Sequence, residues 1–342
     1  MKPVHLFIAV LLVCAVFSGT ALAWNPVTVT DDSGFESIIE SEPQTIVSLA
    51  PTNTEIIFAL GLGDKVVGVT EYCNYPEEAL TKQTVGGYST INVEKIVTAN
   101  PDIIFANPKN GQENIDSLRQ LGYVVVVIQS DSVNGTYDAI RMVGTCTGTT
   151  AGADSLVSDM KTRINAVTEK LEGVTEKPTV MHAMSIDPYW VSGSSTFQNE
   201  LITLAGGTNA FADVEGWGVV TLEKLLTTDP QIILVDSGSK MGTNGENTLQ
   251  KSFFTEQRLS SITAVRNNDV YVMDSDTFDR GGPRIVESLE QLAQILHPEI
   301  FGNYTEPASS ASSPGFGVIL VIAGIILVIA GFIGGIFIHK RK

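Results

Sequence analysis

The sequence predicts an α/β protein in which two lobes with parallel sheets are joined by one long helix. The first observation is a repeat: residues 93–107 read VEKIVTANPDIIFAN and residues 222–236 read LEKLLTTDPQIILVD, with six of fifteen positions identical. The second is that continuous β-branched runs alternate with helical patterns in both halves, as in parallel sheets covered on both faces. The third is a stretch between the halves that has a helical period and no convincing strand.

The first lobe is predicted to span residues 44–136. Its four strands are predicted at residues 45–50, 66–70, 102–106 and 124–128. A capping box from Thr52 to Glu55 begins the first helix, Asn92 can cap the second, and a third is predicted at 115–121. In each repeat the proline ends a helix and the apolar run after it enters the sheet.

The second lobe, predicted at residues 174–304, follows the same plan. Its strands are predicted at 179–183, 231–235 and 270–273, and its helices at 196–205, after Thr221, and at 286–296. The connector, residues 137–173, carries apolar residues at helical spacing from 151 to 171. A single helix of that length is about 30 Å long. It would join the lobes in place of the two or three strands that cross between the lobes of flexible binding proteins.

The two ends of the chain are predicted to lie outside this fold. Residues 1–23 have the charge, apolar run and small-residue site of a secretory signal, with a first membrane anchor as the alternative. An N-terminal extension, 24–43, follows it. Near the other end, a linker at 305–313 precedes a predicted transmembrane helix at 314–338 and a cytoplasmic basic tail at 339–342. The bulk of the protein is therefore expected on the outer face of the cytoplasmic membrane.

The start of that helix, Pro314-Gly-Phe-Gly317, resembles the PGF sorting signal of archaeal surface proteins. In that family an archaeosortase removes the helix and a lipid replaces it; an ordinary anchor is the alternative.

Charge, cysteines and sequons bear on the partners, the redox state and the exposure of the protein. The formal net charge is −17, and without the two end segments it is −21, so nucleic acid is an unexpected partner. Cys73 and Cys146 allow one disulfide or two free thiols. Asn134 and Asn303 begin glycosylation sequons, which agrees with outward exposure.

Ordered motifs across residues 44–300 carry a resemblance to a known family. They are Ile46-Val-Ser-Leu-Ala-Pro-Thr-Asn-Thr-Glu55, Val67-Gly-Val-Thr70, Tyr75-Pro76, Gly86-Gly-Tyr88, Asn92-Val-Glu-Lys-Ile96, Pro101-Asp-Ile-Ile104, Trp190-Val-Ser-Gly193, Leu222-Glu-Lys-Leu225 and Phe278-Asp-Arg-Gly-Gly-Pro-Arg284. The chain resembles the substrate-binding proteins of ABC importers for vitamin B12, ferric siderophores and haem. The resemblance implies two Rossmann-like lobes bridged by one rigid helix, with the ligand between them.

Residue roles follow from this resemblance, which is strongest to the vitamin B12-binding members. Glu94 and Glu223 would each dock on an arginine of one subunit of a permease dimer that carries cytoplasmic ATPase subunits; the alternative is that each only favours its helix dipole. The implied ligand-binding residues are Tyr72, Tyr88, Trp190, Trp217, Asp276 and Arg280. Trp217 is expected on a loop, because glycine stands on both sides of it. Ordinary packing is the alternative for the four aromatic residues.

The expected ligand is cobalamin or another corrinoid, and a ferric siderophore or haem is the alternative. Aromatic side chains suit all three, whereas few basic residues are available for a strongly anionic chelate. Arg280 is the main candidate for an anion, and Arg284 is expected to support the last helix. No intrinsic cofactor is expected.

Other kinds of protein find less support in the sequence. The ectodomain has only His182 and His297, so a histidine-rich site for free zinc or manganese is not expected, although His182 could ligate haem iron or lie in the core. The sequence has no Gly-x-Ser-x-Gly elbow, no Walker motif and no complete dinucleotide fingerprint, so an enzyme is not expected. An adhesive surface protein is the remaining alternative.

Overall fold

The structure is a computed structural model that describes residues 24–236 and 248–305. In its first lobe a five-stranded sheet has the order β5-β4-β3-β6-β7, and all of its pairings are parallel. The strands are β3 (Ile46–Ser48), β4 (Val66–Val69), β5 (Gln83–Thr84), β6 (Ile103–Ala106) and β7 (Val125–Val127). The helices are α1 (Pro51–Ala59), α2 (Val93–Ala99) and α3 (Gln112–Gln120), with 3₁₀ turns at Gly63–Lys65, Glu77–Thr81 and Pro108–Asn110.

The central strands are apolar on both faces, because helices cover both. Every residue of β6 is buried, and its side chains divide between two apolar clusters, with Ile103 and Phe105 in one and Ile104 and Ala106 in the other. A strand with this environment reads as a continuous hydrophobic run. This explains why the sequence alone locates it.

A hairpin precedes this sheet. Strands β1 (Val27–Thr30) and β2 (Glu36–Ile39) pair antiparallel. The Asp31 carboxylate in their turn accepts hydrogen bonds from Ser33 and Phe35 nitrogens, and it also accepts from the backbone N–H of Val127 at 2.9 Å. Arg119 Nη2 lies 2.6 Å from the same carboxylate. The buried carboxylate of Asp31 therefore helps to hold the N-terminal extension on the first lobe.

The second lobe has a mixed sheet. Its order is β11-β9-β8-β12-β13, and β10 pairs parallel with β8. The strands are β8 (Thr179–Ile186), β9 (Tyr189–Ser192), β10 (Thr208–Asn209), β11 (Trp217–Val220), β12 (Ile232–Asp236) and β13 (Val270–Met273). The helices are α6 (Phe197–Leu204), α7 (Leu222–Thr228), α8 (Thr248–Thr255), α9 (Thr263–Asn267), α10 (Ser275–Phe278), α11 (Ile285–Leu296) and α12 (Pro298–Phe301), with a 3₁₀ turn at Gln257–Leu259.

This sheet corrects the prediction of a fully parallel second lobe. Strand β9 pairs antiparallel with both β8 and β11. Only Asp187 and Pro188 connect β8 to β9, and a connection of two residues can only return the chain antiparallel. The pattern of apolar runs did not reveal β9 or β11, because each is only four residues long and contains an exposed tryptophan.

Two helices form the connector between the lobes. They are α4 (Val133–Thr147) and α5 (Thr150–Lys170), which pack against each other. The start of α5 lies near Leu60 of the first lobe, and Leu171, just after its end, lies near Gly206 of the second lobe. The 21-residue helix therefore runs from one lobe to the other, within one residue of the predicted bounds.

One apolar cluster continues through both lobes and the connector. It includes Ile57 from the first lobe, Val143 and Val157 from the connector, and Val180 and Leu289 from the second lobe, all buried. Because closely packed interiors resist deformation, relative movement of the lobes would have to disrupt this shared core. The fold is therefore expected to close only slightly around a ligand.

That expectation is testable by small-angle scattering of the protein with and without saturating ligand. The radius of gyration should stay nearly constant, because the shared core and α5 hold the lobes. A large decrease on ligand addition would contradict a rigid connection.

Candidate ligand-binding cleft

The carboxyl ends of strands in both sheets lie next to the contact between the lobes. In open α/β sheets this is the usual position of a ligand site. The first lobe contributes the segment after β4, from Thr70 to Tyr75, and the second contributes the segment from α10 to the start of α11. Ser130 Oγ donates to the Gly281 carbonyl at 2.7 Å. A Cβ on Gly281 would lie 2.2 Å from the backbone carbonyl oxygen of Ser130. Glycine thus permits the two lobes to touch there.

A buried ion-pair network joins the lobes beside this contact. Arg284 donates two hydrogen bonds to Glu55, from Nε at 2.8 Å and from Nη2 at 2.7 Å. Arg280 Nη1 lies 3.3 Å from the same carboxylate. The Arg284 guanidinium also stacks on the Tyr75 ring, 3.8 Å from its centroid. Bidentate pairing of this kind is strong and directional, so Glu55 holds two cations of the second lobe against the first.

The pKa of Arg284 agrees with a tight ion pair between Arg284 and Glu55. Burial disfavours the charged guanidinium of Arg284, but the hydrogen bonds and charge of Glu55 outweigh it, and the pKa of Arg284 is raised. Arg284 is the residue just before α11. It therefore holds the start of α11, the helix that the sequence expects it to support, by an ion pair that the sequence does not reveal.

The two polar residues predicted to bind ligand, Asp276 and Arg280, lie in the same network. Arg280 donates to Asp276 Oδ1 at 2.5 Å, to Asn74 Oδ1 at 2.7 Å and to the Tyr72 carbonyl at 3.4 Å. Asn74 Nδ2 donates to Asp276 Oδ2 at 2.5 Å. The charge of Arg280 is thus already matched by two carboxylates of the protein, and this arrangement gives it little capacity for an anionic ligand.

The two predicted tryptophans form an exposed apolar platform. Trp217 lies opposite Ser192 in the β11–β9 pairing, and Trp190 lies opposite Val219. Since alternate residues of a strand share a face, both indoles are on one face of the sheet. Trp190 pairs with Ser185 near the carboxyl end of β8, and Trp217 lies over His182 in the middle of that strand. Trp190 is 45% exposed and Trp217 is 39% exposed. Trp217 is the first residue of β11 and does not lie on a loop, which corrects the expectation from its flanking glycines.

The predicted tyrosines lie in the first lobe. Both are partly buried. Tyr88 donates its hydroxyl to Asn107 Oδ1 at 2.8 Å, and Asn110 Nδ2 donates to the Tyr88 carbonyl at 2.8 Å. Burial raises the pKa of Tyr88 to about 12. Tyr88 therefore presents a neutral aromatic ring, and two hydrogen bonds fix the residue next to the carboxyl end of β6.

A second buried polar cluster lies beneath Trp217. His182, on β8, is fully buried, with Nε2 at 2.9 Å from Asp236 Oδ1 and Nδ1 at 3.2 Å from Ser192 Oγ. The Trp217 and Phe278 rings meet the imidazole edge to face, at centroid distances of 5.6 Å and 5.1 Å. His182 therefore offers no exposed ring nitrogen to a haem iron.

Asp279 completes this cluster. Burial and the nearby charge of Asp236 raise its pKa above the ordinary range, and Gln198 Nε2 donates to its Oδ1 at 2.7 Å. For His182, burial lowers the pKa, but Asp236 outweighs it and the net shift is upward. Sequence reasoning missed Asp236 and Asp279. The available signal was that Asp236 ends the second copy of the repeat, at the carboxyl end of a buried strand.

His297 does not belong to this cluster and has different contacts. It is buried near the end of α11, with Nε2 at 3.3 Å from the Gly206 carbonyl and Nδ1 at 3.3 Å from Glu299.

The two repeated helices present equivalent surfaces. Asn92 caps α2 and Thr221 caps α7, each through its side chain to the nitrogen three residues on, and each helix ends in a left-handed residue, Asn100 or Asp229. Glu94 and Glu223 are both exposed in the first turn. The residues three positions later, Val97 and Leu226, are 38% and 36% exposed. Each lobe therefore shows a carboxylate next to an apolar side chain on one helix face.

The remaining predicted positions can also be placed. Cys73 and Cys146 are buried free thiols, and burial raises the pKa of Cys146 to about 12. Asn134 is exposed in the first turn of α4, and Asn303 is exposed after α12. The predicted signal peptide, the transmembrane helix with its PGF motif and the basic tail lie outside the described residues. Among the helices in 24–236 and 248–305, none is long and apolar enough to cross a membrane.

Two α/β lobes joined by one long helix, with polar side chains of both lobes paired beside the strand ends, are the architecture of a two-lobed binding protein. Residues 46–277 match the family model described as periplasmic binding protein. The chain belongs to this family.

Three known proteins show what the chain is similar to. It is 36% identical over 283 residues to YvrC of Bacillus subtilis, an uncharacterised ABC transporter substrate-binding lipoprotein, covering 81% of this chain and 87% of YvrC. It is 30% identical to the vitamin B12-binding protein of Vibrio cholerae, covering 74% and 89% of the two chains. The periplasmic heme-binding protein RhuT of Roseiflexus superposes with a TM-score of 0.67 at 25% identity, covering 74% and 97%.

Proposed function

We propose that this protein is the extracytoplasmic substrate-binding protein of an ABC importer and that its ligand is cobalamin or another corrinoid. Membership of the periplasmic binding protein family and the similarity to YvrC support the receptor role. The observation that carries the choice of ligand is the pair of exposed tryptophans on one face of the second-lobe sheet.

A corrinoid fits this surface chemically. It is large, flat and partly apolar, and rigid aromatic faces bury such a ring with little loss of conformational entropy. The similarity to the Vibrio cholerae vitamin B12-binding protein points the same way. The compensated charge of Arg280 disfavours a strongly anionic siderophore. Haem is the second candidate, because the fold is shared with RhuT and the same tryptophans would accept a porphyrin.

Delivery to the permease would use α2 and α7. A binding protein with one docking helix per lobe matches a transporter with two equivalent subunits. Each helix offers a carboxylate for a cationic side chain and an adjacent apolar residue, Val97 or Leu226, for a hydrophobic contact. The predicted signal peptide and C-terminal helix would place and tether the protein on the outer face of the cytoplasmic membrane.

The ligand assignment is tested by titrating the purified full-length protein with cobalamin, haem and a ferric siderophore. We expect saturable cobalamin binding with quenching of tryptophan fluorescence, confirmed by calorimetry because the ligands absorb light. In Trp190→Ala or Trp217→Ala the Kd should rise about tenfold or more, since each lost aromatic contact removes about 0.5–1.5 kcal/mol beyond its buried area.

The matched control is Trp24→Phe. Trp24 is the third tryptophan, and it donates to the Ile39 carbonyl in the N-terminal hairpin, away from the strands of the second lobe. Its replacement should leave all affinities unchanged. Tight haem or siderophore binding without cobalamin binding would retain the receptor and overturn the choice of ligand. Binding of none of the three would contradict the proposal.

A further inference from the structure

We propose that His182, Asp236 and Asp279 form a binding site for a divalent first-row transition-metal ion in the second lobe, beneath Trp217. This inference is separate from the transported ligand and from the docking helices. It stands on the geometry of the three side chains, on their unsatisfied oxygen atoms and on the residues that orient them.

The three side chains converge on one point. One ligand atom from each lies within 4.8 Å of the others. The closest pair, His182 Nε2 and Asp236 Oδ1, is 2.9 Å apart. With metal–ligand bonds of about 2.0–2.2 Å, neighbouring ligand atoms of one ion are about 3–4 Å apart, so small side-chain rotations bring all three into range.

Two oxygen atoms of the cluster lack partners in the described part of the chain. They are Asp236 Oδ2 and Asp279 Oδ2, both shielded from solvent. A buried carboxylate oxygen without a donor is costly, and a cation at the centre of the cluster would satisfy both. Buried charges in proteins are normally paired or coordinate a metal. The two carboxyl groups also contact each other, so a shared proton or a cation between them would satisfy both atoms, and the metal titration described below distinguishes the two.

The neighbouring residues orient the ligands as a metal site requires. When Nδ1 of His182 donates to Ser192 Oγ at 3.2 Å, Nε2 keeps its lone pair for an ion. Gln198 donates to Asp279 Oδ1 at 2.7 Å and leaves Oδ2 free. The Trp217 and Phe278 rings flank the imidazole and limit the access of water. Such supporting contacts typically change metal affinity by about 10- to 100-fold.

The ligand set indicates the class of ion. One imidazole and two carboxylates suit zinc or manganese, and neither a thiolate nor a second histidine is part of the set. Water would complete the coordination. Because Asp279 adjoins Arg280, which bonds Asn74 and Glu55 of the first lobe, an ion here would also fix the segment that joins the lobes.

The test is calorimetric titration of the metal-free full-length protein with ZnCl2 and with MnCl2. We expect one ion per chain with at least one of them, and a rise in Tm on its addition. Cobalt(II) serves as a spectroscopic probe, and its visible spectrum should report nitrogen and oxygen ligands. Asp279→Asn and Asp236→Asn should each lose the one-to-one site, and Ser192→Ala should weaken it by about 10-fold or more.

Glu299→Gln is the matched control. It alters the carboxylate partner of His297, the other buried histidine. Among the described residues His297 belongs to no group of three possible metal ligands, so this change should leave the stoichiometry unchanged. Folding of each variant is checked by circular dichroism, and Ser192→Ala provides the result if an aspartate variant fails to fold. Absence of one-to-one binding with both metals would overturn the proposal. Equal binding by the folded Asp279→Asn and Asp236→Asn variants would also overturn it. Neither result would affect the cobalamin titration, which tests the receptor function independently.

Discussion

Reversing the two carboxylates proposed to dock on the permease, as Glu94→Arg with Glu223→Arg, should abolish ligand uptake while leaving ligand binding unchanged. Both side chains are exposed on α2 and α7 and make no contact with the cleft network of Glu55, Arg280 and Arg284. If cationic permease residues meet them, each reversal replaces an attraction by a repulsion between like charges, which costs several kcal/mol. Uptake should therefore fall to less than about a tenth of its normal rate.

The measurement is uptake of labelled cobalamin by the native host after replacement of its chromosomal copy, together with calorimetry on the purified variant. The matched control is Glu113→Arg with Glu176→Arg. Both control residues are exposed, and Glu113 also lies in the first turn of a helix, α3, so the change in charge is the same. Full uptake by the docking variant, or equal loss in the control, would contradict docking through these two helices.

Each single reversal separates docking from a helix-dipole role. A glutamate that only favours its helix contributes about 0.3–1 kcal/mol of helix stability, and its loss would appear as a small decrease in Tm. A docking glutamate should affect uptake without a matching decrease in Tm.

Exchange of Leu226 for aspartate beside an intact Glu223 should impair uptake as well, if the apolar neighbour is part of the same contact.

Removing Glu55 should produce the largest loss of stability of any single change in the ion-pair network. In Glu55→Ala the guanidinium groups of Arg280 and Arg284 remain buried, and Arg284 loses both of its hydrogen bonds to carboxylate. Breaking a buried pair by removing one partner costs about 3–5 kcal/mol, because an uncompensated charge is left behind. Urea unfolding followed by circular dichroism measures this as a lower midpoint with an unchanged slope.

Two comparisons sharpen this result. Glu256→Gln removes the partner of Arg258 at the surface, so it should not measurably destabilise the protein. Glu55→Ala combined with Arg284→Met removes charges of both signs, and it should recover part of the lost stability. A destabilisation by Glu55→Ala no larger than that by Glu256→Gln would show that the network does not hold the lobes together.

Several features were predictable from sequence because they depend on neighbouring residues. The central strands of the first lobe are short runs that are apolar on both faces, so β6 at Ile103–Ala106 stands out without any tertiary information. The capped ends of α2 and the length of α5 likewise follow from local patterns. The repeat located helices α2 and α7, and family resemblance suggested a docking role for Glu94 and Glu223.

Other features could not be predicted because their partners are distant in the chain. Trp217 was expected on a loop, since its flanking glycines say nothing about β9, with which it pairs. Glu55 and Arg284 are 229 positions apart, and each alone resembles an ordinary helix residue.

The sequence by itself determined the α/β class, the two lobes, the single long helix and the repeated helices that carry Glu94 and Glu223. Local hydrophobic periodicity and capping chemistry are sufficient for these, because each depends on residues a few positions apart. Only the tertiary structure decided that Arg280 is neutralised by Glu55 and Asp276, and that His182 meets Asp236 and Asp279. Burial removes water as a competing partner, so the fate of each charge depends on which distant groups the fold brings within hydrogen-bonding distance.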